Sequence, residues 1–431
     1  MIKILCSSKC TREELLSRVV PESAEVDAIV RDIIDNVVKN GDRALYDYAL
    51  RFDKATLDTL EVSKEEIQLA LSRVDADFIE TLNIAKNNIA AFHQNQARKG
   101  FEMDNSSKGI VLGQRILPLE KVGIYVPGGT ASYPSTVLMN AVPARIAGVS
   151  EIIMVTPPNS DGTIMDEILV AAHIAGVDRI FKIGGAGAIA ALAYGTESVP
   201  AVDKIVGPGN VFVATAKRMV FGKVAIDMVA GPSEILIVAD ETADPAFVAA
   251  DLLSQAEHDR LASAVLITNC EKLAMAVSNE IETQLEKLSR RDIARTSVDN
   301  NGKIIIVESV EEAIDLSNEY APEHLELAIE EPFAWLESVK NAGSVFLGHY
   351  TPEPLGDYFA GTNHTLPTSG TARFSSPLGV DDFVKRSSYI FYNDTALKDV
   401  SRRVADFATR EGLTAHANSI IIRFEEGAKT E

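Results

Sequence analysis

Apolar residues recur three and four positions apart through much of the first hundred residues, the period of helices with one buried face. In "AEVDAIVRDIIDNVVKNG", Val26, Ile29, Val30, Ile33, Ile34, Val37 and Val38 form such a stripe, and Gly41 is placed to stop it. "SKEE", Ser63 to Glu66, has the form of a capping box opening the next helix. A strongly helical stretch over 75–96 follows. From Val122 the period changes. "VGIYVPGG", "EIIMVTPP", "DRIFKIGG", "DKIVGPGN" and "IDMVAGPS" are short β-branched runs, each closed by a Gly/Pro turn. Ala- and Leu-rich helical stretches separate the first four. This βα alternation predicts a parallel sheet covered by helices. After Ser233 it resumes with "EILIVAD", "SAVLITN", "KIIIVES" and "GSVFLG", so two α/β sheets are the economical reading. The last fifty residues, from about Asp381, read as two helices around "SYIFYN". Residues 351–377 are rich in Gly, Pro, Thr and Ser and have no period. A loop that long in a compact domain is functional or disordered, and Asp357 and His364 within it favour function.

Composition narrows the function classes. The chain has 431 residues, enough for a sizeable core, and 46% hydrophobic and 24% charged residues suit a soluble protein. Its 41 Lys+Arg against 62 Asp+Glu leave a net charge of -21, which repels phosphate backbones and anionic membrane surfaces. Nucleic acid and membrane are therefore not expected partners. No segment reaches the ~20 apolar residues of a bilayer span. The apolar run in "MIKILCSSKCTREE" falls far short of a secretory core. Cys6, Cys10 and Cys270 are an odd set without CxxC spacing, which argues against a disulfide framework or a thiolate zinc site. A cytoplasmic protein is expected.

In open α/β sheets, ligands bind beyond the carboxyl ends of the strands, so the Gly/Pro turns mark the expected place for a nucleotide. "GAGAIA", Gly185 to Ala190, fits the G-x-G-x-x-A form of a dinucleotide loop. Close helix–strand packing selects the same pattern, and Asp203 begins the following strand where an acidic residue should end it. A structural turn and a cofactor loop both stay open.

Of seven histidines, His93, His173 and His349 have no polar company that suggests chemistry. "LLSQAEHDR" places Gln255 and His258 three apart, on one face of a helix. An amide oxygen and an imidazole nitrogen can hold a metal, and the same pair can be a solvated helix face. Asp357 in "EPLGDYF" and His416 in "GLTAHANS" could complete an N/O site suited to zinc, although spacing alone does not bring them together. "NEYAPEHLEL" sets Glu323 beside His324. Consecutive side chains point apart, so the two would do different jobs. A histidine can accept a proton from an alcohol, and a glutamate can orient or deprotonate water. As an isolated dipeptide the pair also has a purely structural reading.

The wider context is specific. Residues 226–259, "IDMVAGPSEILIVADETADPAFVAADLLSQAEHD", resemble the diagnostic stretch of histidinol dehydrogenases. "YVPGG", "GPGN", "YAPEHLEL", "PLGDYFAGTNHTLPTSGTARF" and "REGLTAHANS" also resemble that family's motifs, in its order, over nearly the whole chain. The resemblance implies oxidation of L-histidinol to L-histidine in two NAD-dependent steps through bound histidinaldehyde, by a zinc-dependent homodimer. It implies Gln255, His258, Asp357 and His416 as zinc ligands and Glu323 and His324 as the catalytic pair. Ser233, His364 and Glu411 match substrate-contacting positions, and Tyr125 and Asn210 nucleotide-contacting ones. Gly187 stands where the family commonly has Gln, removing a side-chain contact on the cofactor side.

The implied fold is two Rossmann-like parallel-sheet domains with small terminal helical segments. Its expected parts are an N-terminal segment 1–22, a discontinuous domain of 23–124 and 235–378 carrying the catalytic and metal residues, a nucleotide-side domain 125–234, and a tail 379–431. The tail is expected to cross to the partner subunit, so that His416 and Glu411 serve the other chain's site. Two rival classes predict differently: a zinc hydrolase turns over without nicotinamide, and a metal- or nucleotide-binding sensor does not turn over. Retention of both Glu323 and His324 counts against the sensor.

Overall fold

The computed structural model describes residues 1–18, 24–128 and 133–424. The chain divides into two units, Met1–Ala97 with Leu119–Phe383, and Arg98–Pro118 with Val384–Glu431. The first strands in chain order are β1 Lys3–Cys6, β2 Phe101–Asn105, β3 Ile110–Pro118, β4 Lys121–Tyr125 and β5 Glu151–Thr156. Then come β6 Arg179–Lys182, β7 Lys204–Val206, β8 Ala225–Ile226, β9 Glu234–Ala239 and β10 Ser263–Thr268. The last are β11 Lys303–Ile306, β12 His324–Ala328, β13 Ser344–Leu347 and β14 Val384–Tyr392.

The first unit holds two parallel sheets. One has the order β6-β5-β4-β7-β8. Val122, Ile124, Ile152 and Met154 enter the core under helices Pro134–Ala147 and Asp166–Ala175. Tyr125, Ile153, Val155 and Ile205 enter the core under Gly185–Tyr194 and Val211–Val220. The helix Ala24–Asn40 packs into this second core through Val30, Ile34 and Val37, while Ile29 and Val38 are exposed. The predicted stripe was wider than one face. At about 100° per residue, Ile29 and Val38 fall on its two flanks. The Ser63–Glu66 capping box forms as read.

The other sheet has the order β1-β11-β10-β9-β12-β13, also parallel. The strand β1 departs from the all-helical reading of the N-terminus. It pairs with β11 from Lys3↔Lys303 to Cys6↔Ile306, and four residues are too few to show a period. One face carries Ile235, Ile237, Ala264 and Leu266 under the helices Pro245–Ala256, Glu271–Leu285 and Arg291–Asn301. The opposite face carries Leu236, Val238, Val265, Leu325 and Leu327 under the helix Val310–Tyr320. Alternate side chains point to opposite faces of a strand. Leu325 and Leu327 therefore put His324 and Glu326 on the face covered by Pro245–Ala256, two polar groups in an otherwise apolar layer.

Residues 351–377 are ordered. They contain the helix Glu353–Tyr358 and the 3-10 turn Thr371–Arg373. Asn363 donates to the Met139 carbonyl at 2.7 Å, and Thr368 Oγ1 accepts from Gly231 N at 2.6 Å.

The second unit has an antiparallel sheet, β14-β3-β2, followed in the chain by helices Asp394–Arg410 and Thr414–Ile421. "SYIFYN" is not flanked by helices, as the periodicity suggested: it lies mostly within β14, and both helices follow it. The strand pairs with β3 from Val384↔Pro118 to Tyr392↔Ile110, yet it is mostly exposed, so no alternation of buried residues marks it. Among the described residues no helix is long and apolar enough to cross a membrane.

Candidate active site

The helix Val310–Tyr320 ends at Ala321, whose φ of 51° and ψ of 66° are left-handed. Such a conformation costs a non-glycine residue roughly 1–2 kcal/mol. Its N–H caps the helix by donating to Ser317 O at 2.8 Å, and Pro322 bars continuation. Glu323 then leads into β12, which His324 opens. The dipeptide thus sits at the amino edge of the sheet, against the start of β9.

The backbone of one residue holds both side chains, through the two peptide groups that flank its Cα. The Glu234 N–H donates to Glu323 Oε2 at 2.8 Å, and the Glu234 carbonyl lies 3.0 Å from His324 Nδ1. A carbonyl only accepts, so Nδ1 carries a proton and Nε2 faces the other way. His324 Nε2 is buried without a hydrogen-bond partner among the described residues, 3.6 Å from Asp357 Oδ1 and 3.7 Å from Glu353 Oε1. Burial pushes the Glu323 carboxyl up to about 7 against the pull of His324 and the Glu234 amide. Burial alone would lower His324, but Glu323, Asp357 and Glu353 together raise it to about 10. Burial would likewise raise Asp357, but His324 and His364 hold it well below the carboxylate range.

Gln255 occupies the last turn of Pro245–Ala256, and His258 lies beyond the helix end. The pair therefore meets across the end of the helix, where the spacing suggested one helical face. Gln255 Oε1 and His258 Nδ1 are 3.0 Å apart, and burial pushes the His258 imidazole down. Gln255 Nε2 is buried and has no hydrogen-bond partner among the described residues. His258 is within electrostatic reach of Asp357 and His364, and His364 Nδ1 lies 3.1 Å from the Asp357 carbonyl. His324, Glu353 and Asp357 present ligand-type atoms within 4.8 Å of one another. An amide oxygen, imidazoles and carboxylates amid excess negative charge are a donor set that fits a zinc-like cation.

Ser233 immediately precedes Glu234, and its carbonyl accepts from Ser263 N at 2.9 Å. Tyr125 and Asn210 lie at and beyond the carboxyl ends of β4 and β7, between which the strand order reverses. The Tyr125 hydroxyl is buried and accepts from Gly185 N at 3.1 Å; burial pushes it up to about 12. Asn210 caps the helix Val211–Val220, accepting from Phe212 N and Val213 N. A Cβ on Gly185 would meet nothing within 4 Å, so backbone beyond this edge is open to a nucleotide. A Cβ on Gly187 would come within 3.1 Å of Tyr48, so that position faces packed protein. Glu411 and His416 belong to the second unit, where both line a concavity of about 530 Å³ with Phe407 and Leu413.

The model of the histidinol dehydrogenase family matches residues 16–424. The chain belongs to the histidinol dehydrogenase family. It is 57% identical over 413 residues to a histidinol dehydrogenase of Clostridium acetobutylicum, covering 96% of each chain. It is 57% identical over 424 residues to one from Bacillus thuringiensis, covering 98% of this chain and 97% of that one. A crystal structure of histidinol dehydrogenase from Elizabethkingia anophelis superposes with a TM-score of 0.92 at 38% identity, covering 98% of both chains.

Three groups in this site escaped the sequence reading. Glu353 lies four residues before Asp357 on one short helix, a spacing that could have flagged it. Glu326, two residues after His324, accepts from Glu353 N at 2.8 Å. Period-2 reading of β12 would have placed it beside His324. Glu234 acts through its backbone N–H and C=O, for which no sequence signal exists.

Proposed function

We propose that the chain catalyses the zinc- and NAD-dependent four-electron oxidation of L-histidinol to L-histidine through bound L-histidinaldehyde, as a homodimer with shared sites. As a member of its family, it is an oxidoreductase of histidine biosynthesis acting on histidinol. The observation that carries the four-electron reading is the His324–Glu323 arrangement. One imidazole nitrogen is anchored and the other free, and the adjacent carboxylate is held by the N–H of the same anchoring residue, 3.6 Å from the anchored nitrogen.

Zinc bound through Asp357 would offset the carboxylate charge that raises His324. The neutral His324 Nε2 then accepts the hydroxyl proton of the alcohol as its carbinol carbon is oxidised. Glu323 then takes a proton from water, whose oxygen adds to the aldehyde carbon while His324 returns its proton to the aldehyde oxygen. His324 acts again on the hydrate, taking a hydroxyl proton in the second oxidation. NAD, bound beyond the carboxyl ends of β4 and β7, would accept one hydride in each oxidation. Zinc, held by Gln255, His258, Asp357 and His416 of the partner subunit, would bind the substrate's imidazole and amine and so fix its position. Ser233, His364 and the partner's Glu411 would contact the substrate. A thiohemiacetal route needs a thiolate at the amino edge of the β9–β12 pair. Cys6 and Cys270 stand at the carboxyl ends of β1 and β10, and Cys10 lies in the turn after β1.

The test is stoichiometry. Each L-histidinol is expected to yield two NADH and one histidine. Recovery of one NADH with free aldehyde as final product would sink the four-electron assignment.

The crossed tail is supported by the shared concavity of Glu411 and His416 and by exposed Phe407, 68% accessible, beside it. Chains carrying His324→Ala or His416→Ala, each inactive alone, are expected to complement when co-expressed. A mixed dimer then has one intact and one doubly damaged site. Random pairing restores about a quarter of parental activity, for independent sites in a two-fold dimer. Background activity in verified heterodimers would reject the crossing.

A further inference from the structure

We infer that Arg18, carried by the N-terminal segment, is a positioning residue that locks the Glu234 backbone and the Ala321 turn around the catalytic pair; this rests on the histidinol oxidation proposed above. Arg18 Nη2 donates to the Tyr320 carbonyl at 2.6 Å and to Glu234 Oε2 at 3.2 Å. Its Nε lies 2.7 Å from Glu234 Oε1, an ion pair whose N–H is not aimed at the oxygen. The guanidinium lies 3.7 Å over the Tyr320 ring. A Cβ on Gly370 would come within 2.8 Å of Arg18 Nη1, so this glycine admits the group.

The anchored parts are those that place the chemistry. Tyr320 ends the helix and Ala321, two residues before Glu323, is left-handed, a strain that persists only if the surroundings enforce it. Glu234 supplies the N–H that holds Glu323 and the carbonyl that orients His324. Arg18 ties the helix end to the start of β9, 216 residues away along the chain. Both side chains are largely buried, 19% exposed for Arg18 and 5% for Glu234, so the contact is little screened. A planar fork can reach a carboxylate and a carbonyl at once, which an ammonium does not match. Arg18 and Glu234 line a cavity of about 500 Å³ with Ser17, Lys303 and Ser369, which gives small solutes access to the guanidinium's place.

The parent enzyme, loaded with zinc, is first assayed with L-histidinol and NAD. An inactive parent would indict the function, whereas the Arg18 variants address the latch. Arg18→Ala is expected to lower kcat for both oxidations by roughly 10²-fold, the effect of a small misplacement of reacting groups, with KM and metal content unchanged. Millimolar guanidinium is expected to restore turnover. Arg18→Lys, which keeps the charge, is expected to lose about ten-fold in kcat. Independently of turnover, hydrogen exchange at the Glu234 amide should quicken in Arg18→Ala. Unchanged kcat, a loss that tracks KM or metal content, a loss untouched by guanidinium, or unchanged exchange would each overturn the inference. If Arg18→Ala does not fold, unchanged kcat or unchanged Glu234 exchange in Arg18→Lys does so.

Discussion

Replacing His324 by glutamine is expected to slow both oxidations by ~10²–10⁴-fold, the usual contribution of a positioned general base. The glutamine amide can still donate to the Glu234 carbonyl, which now lies 3.0 Å from Nδ1, but it cannot take up a proton. Loss of stability is not the expected reason for the effect, because the strand is held by neighbours on both sides: His324 pairs with Ile235 of β9 and Ser344 of β13. Glu323→Gln should behave differently. It keeps an acceptor for the Glu234 N–H and loses the base for water, so oxidation of added histidinaldehyde should fall much further than oxidation of the alcohol. Steady-state rates with each substrate, at saturating NAD, read the two effects separately. Parental rates in His324→Gln with both substrates would end its role, and equal losses for both substrates in Glu323→Gln would remove the division of labour.

Zinc removal is the second large effect. Chelation is expected to abolish turnover while circular dichroism and the unfolding midpoint change little, and Zn²⁺ should restore activity. The proposed ligands include no thiolate, and apolar clusters line both faces of each parallel sheet in the first unit. Folding energy therefore resides mainly in apolar burial, and metal affinity in four N/O donors, one a neutral amide. That separates this site from structural zinc sites, whose loss unfolds the protein. Normal turnover by protein shown metal-free by elemental analysis would overturn the zinc assignment.

Much of this architecture was legible along the chain. The runs from Val122 and from Glu234 are strands in the two parallel sheets, because buried parallel strands must be apolar and must end in turns. The order β, α, β is local information and largely survived, although "IDMVAGPS" adds only Ile226 to the two-residue β8, and β12 was not among the runs read as strands. The resemblance over "YAPEHLEL" and its companion motifs led to the family that the comparisons show. Elements marked by pairing alone were lost: β1 is too short to show a period, and β14 is too exposed to show alternation.

What only the tertiary structure decided was which edge of the sheet the chemistry occupies and what holds it. General rules for open sheets pointed to the carboxyl ends, where Tyr125 and Asn210 lie, yet Glu323 and His324 sit at the amino edge of β12. The polarity of that site follows from β12 pairing with β9, strands separated by nearly ninety residues, and no spacing within either run encodes the pairing. Glu353 and Asp357 come under His324 Nε2 only because the segment after β13 folds back beneath it. The groups that orient the pair are the N–H and C=O of Glu234, and every residue but proline carries the same two groups. A sequence distinguishes side chains, so a site held by backbone becomes visible only once the chain has brought that one residue to it.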